Sequence, residues 1–266
     1  MQNGYEIDVD CISVEYFSEN VVAKNDGFDH CHDKYEITFT TAASGKYIIE
    51  GSEHKLCPGA IIFIQPLSYH KVLIDKACLL EGYTVYFSEN AISEGLLPIL
   101  KKITDKSDYN GRYYSHGHYS DAIISAFERF ETARILKDED QKAYLSALLS
   151  EIIILLSAAE GDSMTAIDEL GARVVKYLNS NIDKNISLEK VAKRFFVSKY
   201  HLCRAFKKHS GISVHSYINH KRIMYAKQLI ESGETASGAA ERVGFGDYSA
   251  FYRAYIKIVG KSPTKE

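Results

Sequence analysis

Apolar and polar positions alternate in short runs along the first part of the chain, with turn residues between the runs. Tyr35-Glu36-Ile37-Thr38-Phe39 is followed by Ser44-Gly45, then by Lys46 to Glu50 and Gly51-Ser52. Further runs are Ala60 to Ile64, His70 to Ile74 and Gly82 to Phe87, bounded by Cys57-Pro58-Gly59 and Gln65-Pro66. A period of two between such punctuation predicts a small antiparallel β-sandwich or barrel. Beyond Ser120 the period changes. Ile123, Phe127 and Phe130, and then Leu145, Leu148, Ile152 and Leu155, recur at helical spacing on either side of the charged break Lys137-Asp138-Glu139-Asp140. This predicts a helical hairpin with one apolar face, suited either to padding the sheet domain or to pairing with a second copy.

The last hundred residues read as helices throughout. Ser187 precedes Leu188-Glu189-Lys190 as an N-cap, the chain turns at Phe196-Val197, and Ser198 caps a second helix that Ser210-Gly211 stops. Leu202, Ala205 and Phe206 share one face of that second helix; Lys199, Tyr200, Cys203, Arg204 and Lys207 are left for the other. Two helices this close make a helix-turn-helix. A long amphipathic helix from about Val214 to Ser232 intervenes, and the pattern then restarts. Thr235 opens Ala236 to Val243, Gly244-Phe245-Gly246 turns, and Asp247 caps a helix from Tyr248 to Gly260. Arg253 follows its cap by six residues, as Arg204 follows Ser198. The intervening helix would be about 27 Å long at 1.5 Å per residue, against about 34 Å for a turn of B-DNA. Two reading helices could therefore enter successive major grooves. An amphipathic cationic helix is common on proteins that never meet DNA; recurrence of the unit at a fixed separation favours the DNA reading.

Charge agrees with this division. The net charge of −3 over 266 residues hides two unlike halves: Thr165 to Glu266 carries 18 Lys and Arg against 9 Asp and Glu, the rest 14 against 26. A basic module expected to meet a polyanion is carried by an acidic one, and Gly161-Asp162-Ser163 is the natural division. With 45% apolar and 25% charged residues, disordered and collagen-like chains are excluded. No uncharged apolar run reaches eighteen residues, and the start, MQNGYEIDVD, is acidic rather than a basic leader. The expectation is a cytoplasmic protein that spans no membrane. Its five scattered cysteines, Cys11, Cys31, Cys57, Cys78 and Cys203, are expected to be reduced.

The residues of the basic half resemble the DNA-binding domain of AraC/XylS transcriptional regulators. The first motif carries the likeness in Ile186, Leu188, Val191-Ala192, Ser198, Leu202, Arg204, Phe206-Lys207-Lys208, Gly211, Tyr217 and Arg222. The second carries it in Val243-Gly244-Phe245, Asp247, Phe251, Arg253, Gly260 and Ser262-Pro263. The resemblance implies base-edge contacts from Lys199, Tyr200, Cys203 and Arg204 and from Tyr248, Ser249, Tyr252 and Arg253. Lys193, Arg194, Lys207 and Lys208 are expected on phosphates. The second motif departs at Ala236, Ala239 and Tyr255-Ile256, and the first is expected to carry more of the affinity.

The acidic half resembles the usual partner of that domain, a cupin-like sensing barrel, through His30-Cys31-His32 before Tyr35-Glu36 and Cys57-Pro58-Gly59 before Pro66 and His70. In cupin enzymes, His-x-His, a Glu and a later His supply metal ligands. The likeness here is to the family's effector domain, where these positions usually hold no metal. The implied use is a small polar effector, often a sugar, gripped by His32, Glu36, Tyr47 and His70; such histidines serve equally to satisfy backbone groups.

The resulting expectation is an α+β two-domain chain. Residues 1–115 form a cupin-like effector-binding β-barrel, 116–162 a helical hairpin and linker, and 163–266 an all-α domain with two helix-turn-helix motifs joined by a linker helix. It would be an effector-responsive activator of carbohydrate or small-metabolite genes, a homodimer on double-stranded DNA with RNA polymerase as a further partner, and it would have no catalytic residue, metal or cofactor. The alternatives are a cupin-type metalloenzyme using His30, His32, Glu36 and His70, and a constitutive DNA-binding protein whose barrel only dimerises.

Overall fold

The computed structural model describes residues 4–23, 30–105, 111–161, 170–182, 184 and 186–264. Asp162 and Ser163 of the expected division lie outside them. The chain splits into two compact units: one holds Met1–Phe28, Lys34–Ile49 and Glu53–Thr165, the other Asp29–Asp33, Glu50–Ser52 and Ala166–Glu266.

The first unit is built on strands β1 (Tyr5–Val9), β2 (Ile12–Val21), β3 (Tyr35–Ala42), β4 (Gly45–Ile49), β5 (Ser52–Leu56), β6 (Ile61–Ile64), β7 (His70–Ile74), β8 (Cys78–Phe87) and β9 (Gly111–Tyr114). They form a six-stranded sheet in the order β1-β2-β8-β3-β6-β9 and a three-stranded sheet, β5-β4-β7. Among the described residues the expected barrel is therefore corrected to two sheets that do not close, each ending on edge strands paired on one side only. Patterning found the central strands. It passed over β1, β2, β5 and β9, and it shortened β8, which pairs with β2 from Ile12↔Phe87 to Val21↔Cys78. β1, β2 and β8 are half-exposed and carry Glu and Tyr among their apolar residues, so their alternation is weak, and β9, only four residues long, is too short to show a period.

Strand β6 shows how the sequence builds the interior. Its four residues are all buried, and alternate side chains serve two cores. Ile61 and Phe63 join Val14, Ile37, Phe39, Val85 and Phe87; Ile62 and Ile64 join Tyr47, Ile49, Leu56 and Ile74. The larger core is completed by helices α1 (Leu97–Asp105), α2 (Asp121–Glu128), α3 (Phe130–Ala133) and α4 (Asp138–Ala158), through Phe127, Phe130, Leu145, Leu149 and Ile152. The apolar stripe of the hairpin is thus spent on padding. Asp138, Glu139 and Asp140, which read as a break, form the first turn of α4, where carboxylates face the positive end of the helix dipole. By length and composition α4 is long and apolar enough to cross a membrane, which the sequence reading did not anticipate; its inward residues, Leu145 to Leu156, are buried in this core.

The second unit contains α5 (Leu170–Asn179), α6 (Leu188–Arg194), α7 (Lys199–Ser210), α8 (Val214–Glu231), α9 (Ala236–Arg242) and α10 (Tyr248–Val259). Helix α8 serves both ends of it. Tyr217 packs edge-on against Phe206 of α7, whereas Ile223, Ala226 and Leu229 share a core with Ala239, Val243, Phe251 and Tyr255. Tyr255, where the family pattern expects Phe, is buried beside the small Ala239 and Ala240 and fills volume that they leave. A buried ion pair also belongs to this unit. Lys221 Nζ lies 2.6 Å from Glu50 Oε1, Tyr217 donates its hydroxyl hydrogen to Glu50 Oε2, and Asn179 Oδ1 accepts from Lys221 and lies 2.6 Å from the Tyr217 hydroxyl oxygen.

Candidate nucleic-acid interface

Local capping fixes both helix-turn-helix motifs. In the first, Ser187 Oγ accepts from Lys190 N at 3.4 Å and Ser198 Oγ from His201 N at 3.2 Å, and α7 ends on Gly211 at φ 82°. In the second, Thr235 Oγ1 accepts from Gly238 N at 3.1 Å, Asp247 takes the amides of Ser249 and Ala250, and α10 ends on Gly260 at φ 80°. Each cap satisfies amide groups that a helix start leaves unpaired. The turns differ. Gly244 adopts φ +81° in the second, a conformation natural to glycine, whereas Phe196 holds φ +56° in the first with its ring 96% exposed.

With Leu202 and Phe206 of α7, and Phe251 and Tyr255 of α10, turned inward, the outer faces follow from helical periodicity. Tyr200, Arg204, Lys207 and Lys208 are exposed on α7, and Tyr248, Ser249, Tyr252 and Arg253 on α10; Cys203 is half-buried. Lys199 is also exposed, but its ammonium lies 2.6 Å from Glu189 of α6. That hydrogen bond lowers the Glu189 carboxyl to about 2 and raises the lysine. A pair so exposed is screened by salt, and Lys199 can exchange its partner for a phosphate.

Lys193 and Arg194 are exposed at the end of α6. The Arg194 guanidinium lies 5.0 Å from the Tyr177 ring centre and that of Arg173 lies 5.4 Å from Phe195. Together with Lys176 and Ser180 they line an open groove of about 710 Å³ that motif reading did not find. Interleaved Arg and aromatic residues across α5 and α6 were the available signal.

A family model described as a helix-turn-helix domain matches residues 191–265. Over 244 residues, 88% of this chain and 85% of the relative, the chain is 23% identical to the HTH-type transcriptional activator RhaS of Enterobacter sp. (strain 638). It is 25% identical over 245 residues to RhaS of Escherichia fergusonii, with the same coverage. Among solved structures, ToxT from Vibrio cholerae O395 aligns over 96% of both chains at 14% identity and a TM-score of 0.38. The DNA-binding domain of AdpA, in complex with a target DNA, aligns over 36% of this chain and 87% of its own at 23% identity and a TM-score of 0.34.

Residues 191–265 form a helix-turn-helix domain, and over 88% of its length the chain is similar to HTH-type transcriptional activators. It is a DNA-binding regulator, and the matched segment, which begins within α6, takes in α7 to α10, Arg204 and Arg253 included.

Of the effector residues read from the sequence, Glu36, Tyr47 and His70 come together in the strand unit. Tyr47 Oη donates to Glu36 Oε1 at 2.7 Å, and Thr38 Oγ1 donates to the same oxygen at 2.9 Å. His70 Nε2 lies 3.1 Å from Glu36 Oε2, and the rings of Tyr47 and His70 stack with centroids 6.2 Å apart. All three are buried. His32 is half-buried on the stretch before β3, its ring 6.2 Å from that of His30. An open cleft of about 400 Å³, lined by Ser44, Lys46, Glu53, His54, Cys57 and Asp75, was not foreseen from motif or spacing. Glu53 and His54 lie on β5, which patterning passed over, and Ser44, Cys57 and Asp75 come from turns, which carry no pattern of their own.

Proposed function

We propose that the chain is an effector-responsive activator of carbohydrate or small-metabolite genes that works in the cytoplasm as a homodimer. In this reading α7 and α10 enter the major groove, with Arg204 and Arg253 on base edges, flanked by Lys199, Tyr200, Cys203, Tyr248, Ser249 and Tyr252. Lys207 and Lys208, with Lys193 and Arg194, neutralise phosphates. The observation that carries the reading is the pair of capped helices, each exposing an arginine six residues after its cap. A selection of random duplexes by the purified protein tests it. Recovery of a defined sequence is expected; indifference to sequence would overturn it.

A small polar effector, a sugar foremost, is assigned to His32, Glu36, Tyr47 and His70. Its binding would favour the DNA-competent arrangement through differential affinity, typically about 1 to 3 kcal/mol. A thermal-shift screen across sugars should find one that stabilises the protein by about 2.7 kcal/mol at a hundredfold excess over its Kd. A constitutive DNA-binding protein would respond to none. Pairing of two copies is assigned to the outward side of α4, where Ala143, Ala147, Ile154 and Ala158 are exposed, and analytical ultracentrifugation reads it directly. RNA polymerase is the partner through which such an activator would act.

A second reading concerns the effector alone. His30, His32, Glu36 and His70 offer three imidazoles and one carboxylate, a donor set that suits a divalent zinc-like ion. The ion would then be the sensed species of a regulator or, in the enzyme alternative, a Lewis acid. Metal analysis of the purified protein and of His32→Ala separates this reading from a sugar sensor: one equivalent of metal, lost in the variant, supports it.

A further inference from the structure

Arg222 is half-buried midway along α8, where the two cores of the helical unit divide, and its guanidinium is shared among three backbone carbonyls. Nε donates to Ile182 O at 3.2 Å and Nη2 to Lys184 O at 2.6 Å, both in the turn that leads into α6 of the first motif. Nη1 donates to Gly244 O at 3.1 Å, in the turn between α9 and α10 of the second motif. One rigid, planar group therefore ties the entry of one helix-turn-helix to the turn of the other, across the helix that separates them. The contact is close fitting: a Cβ added at Gly244 would stand 3.0 Å from Nη2. Lysine could hold only part of this arrangement, because its ammonium is a point donor without the fork.

We propose that Arg222 is a positioning residue for two-site DNA reading, setting the spacing and angle between α7 and α10. The proposal rests on the reading in which both helices meet DNA. The reason is avidity. Once one motif is bound, the other meets its half-site at an effective concentration that depends on how rigidly the two are held, and a rigid match can exceed either affinity alone by about 10² to 10⁴. Apolar packing along α8 keeps each motif folded. The guanidinium is the polar link that fixes one against the other.

The experiment begins with duplexes selected from a random pool by the intact wild-type protein. Affinity is then measured on the full site, on a duplex carrying only the element read by α7, and on full sites with five base pairs inserted between the elements. Wild type should prefer the full site by about a hundredfold and lose that preference on insertion. Arg222→Ala and Arg222→Lys should keep the affinity for the single element and lose most of the preference. Circular dichroism melts establish that each variant is folded; should Ala unfold, Lys retains the stem and the charge. Equal preference and equal phasing in a folded variant would overturn the proposal, as would a wild type that tolerates the insertion, whatever the variants do. Failure of wild type to select any sequence would instead overturn the DNA reading itself.

Discussion

Tyr47 donates its hydroxyl hydrogen to Glu36 across 2.7 Å, inside the strand unit and away from solvent. Burial first, and then the charge of Glu36, holds the Tyr47 hydroxyl well above its ordinary range, so it remains a donor. On the other side of the carboxylate, His70 Nδ1 is 2.9 Å from Ser68 O. A carbonyl can only accept, so Nδ1 is the donor there, and Nε2 lies 3.1 Å from Glu36 Oε2.

Tyr47→Phe keeps the ring stacked on His70 and removes one donor from a buried carboxylate. The expected cost is about 1 to 3 kcal/mol. Urea unfolding of the two proteins reads it as a lower midpoint at unchanged slope. A midpoint equal to that of the parent would mean that another donor replaces the tyrosine, and that Glu36 is not organised by it.

Arg204→Ala should cost about 1 to 3 kcal/mol of binding on a selected duplex and relax the preference at one base pair. Lys208→Ala should instead weaken all duplexes alike and reduce the slope of log K against log salt by about 1. Titration by fluorescence anisotropy at several salt concentrations separates the two. If Arg204→Ala bound selected and scrambled duplexes as the parent does, α7 would not be the reading helix.

Most of the helical unit was legible because its signals are local. Ser187, Ser198, Thr235 and Asp247 cap where their side chains announce it, and Gly211 and Gly260 stop helices in left-handed backbone. The strand unit was legible only where both faces are buried, as in β6, or where alternation is clean, as in β3. Whether the sheets close was not legible, because closure depends on which edges pair and no local residue states that. Site residues divided in the same way. Arg204 and Arg253 are exposed by helical periodicity alone, whereas the Lys199–Glu189 pair, the triple contact of Arg222 and the Lys221–Glu50 pair join positions 10 to 171 residues apart. No periodicity encodes contacts of that kind.

Lys221 and Glu50 offer a direct stability test, with side chains 4% and 0% exposed. Lys221→Met removes the cation, leaves a buried carboxylate with Tyr217 as a remaining donor, and should cost about 3 to 5 kcal/mol. Adding Glu50→Leu removes the stranded charge, and the double variant should regain most of the loss. Chemical denaturation of the four proteins of this cycle measures the coupling. Additive losses would show that the pair is not coupled.

Acid should loosen the helical unit through His220. Burial, first, and then the charges of His30 and Lys221 lower its affinity for a proton. An unfolded histidine titrates near 6.5, so on acidification below about that pH the unfolded chain takes up a proton before the folded one does. Stability from this group is therefore complete above pH 6.5 and declines as pH falls toward the lower folded value. His220→Gln cannot titrate, and its melting temperature should fall less between pH 7 and pH 5.5 than that of the parent. Differential scanning calorimetry at a series of pH values measures the two slopes, and identical slopes would assign the acid sensitivity to other groups.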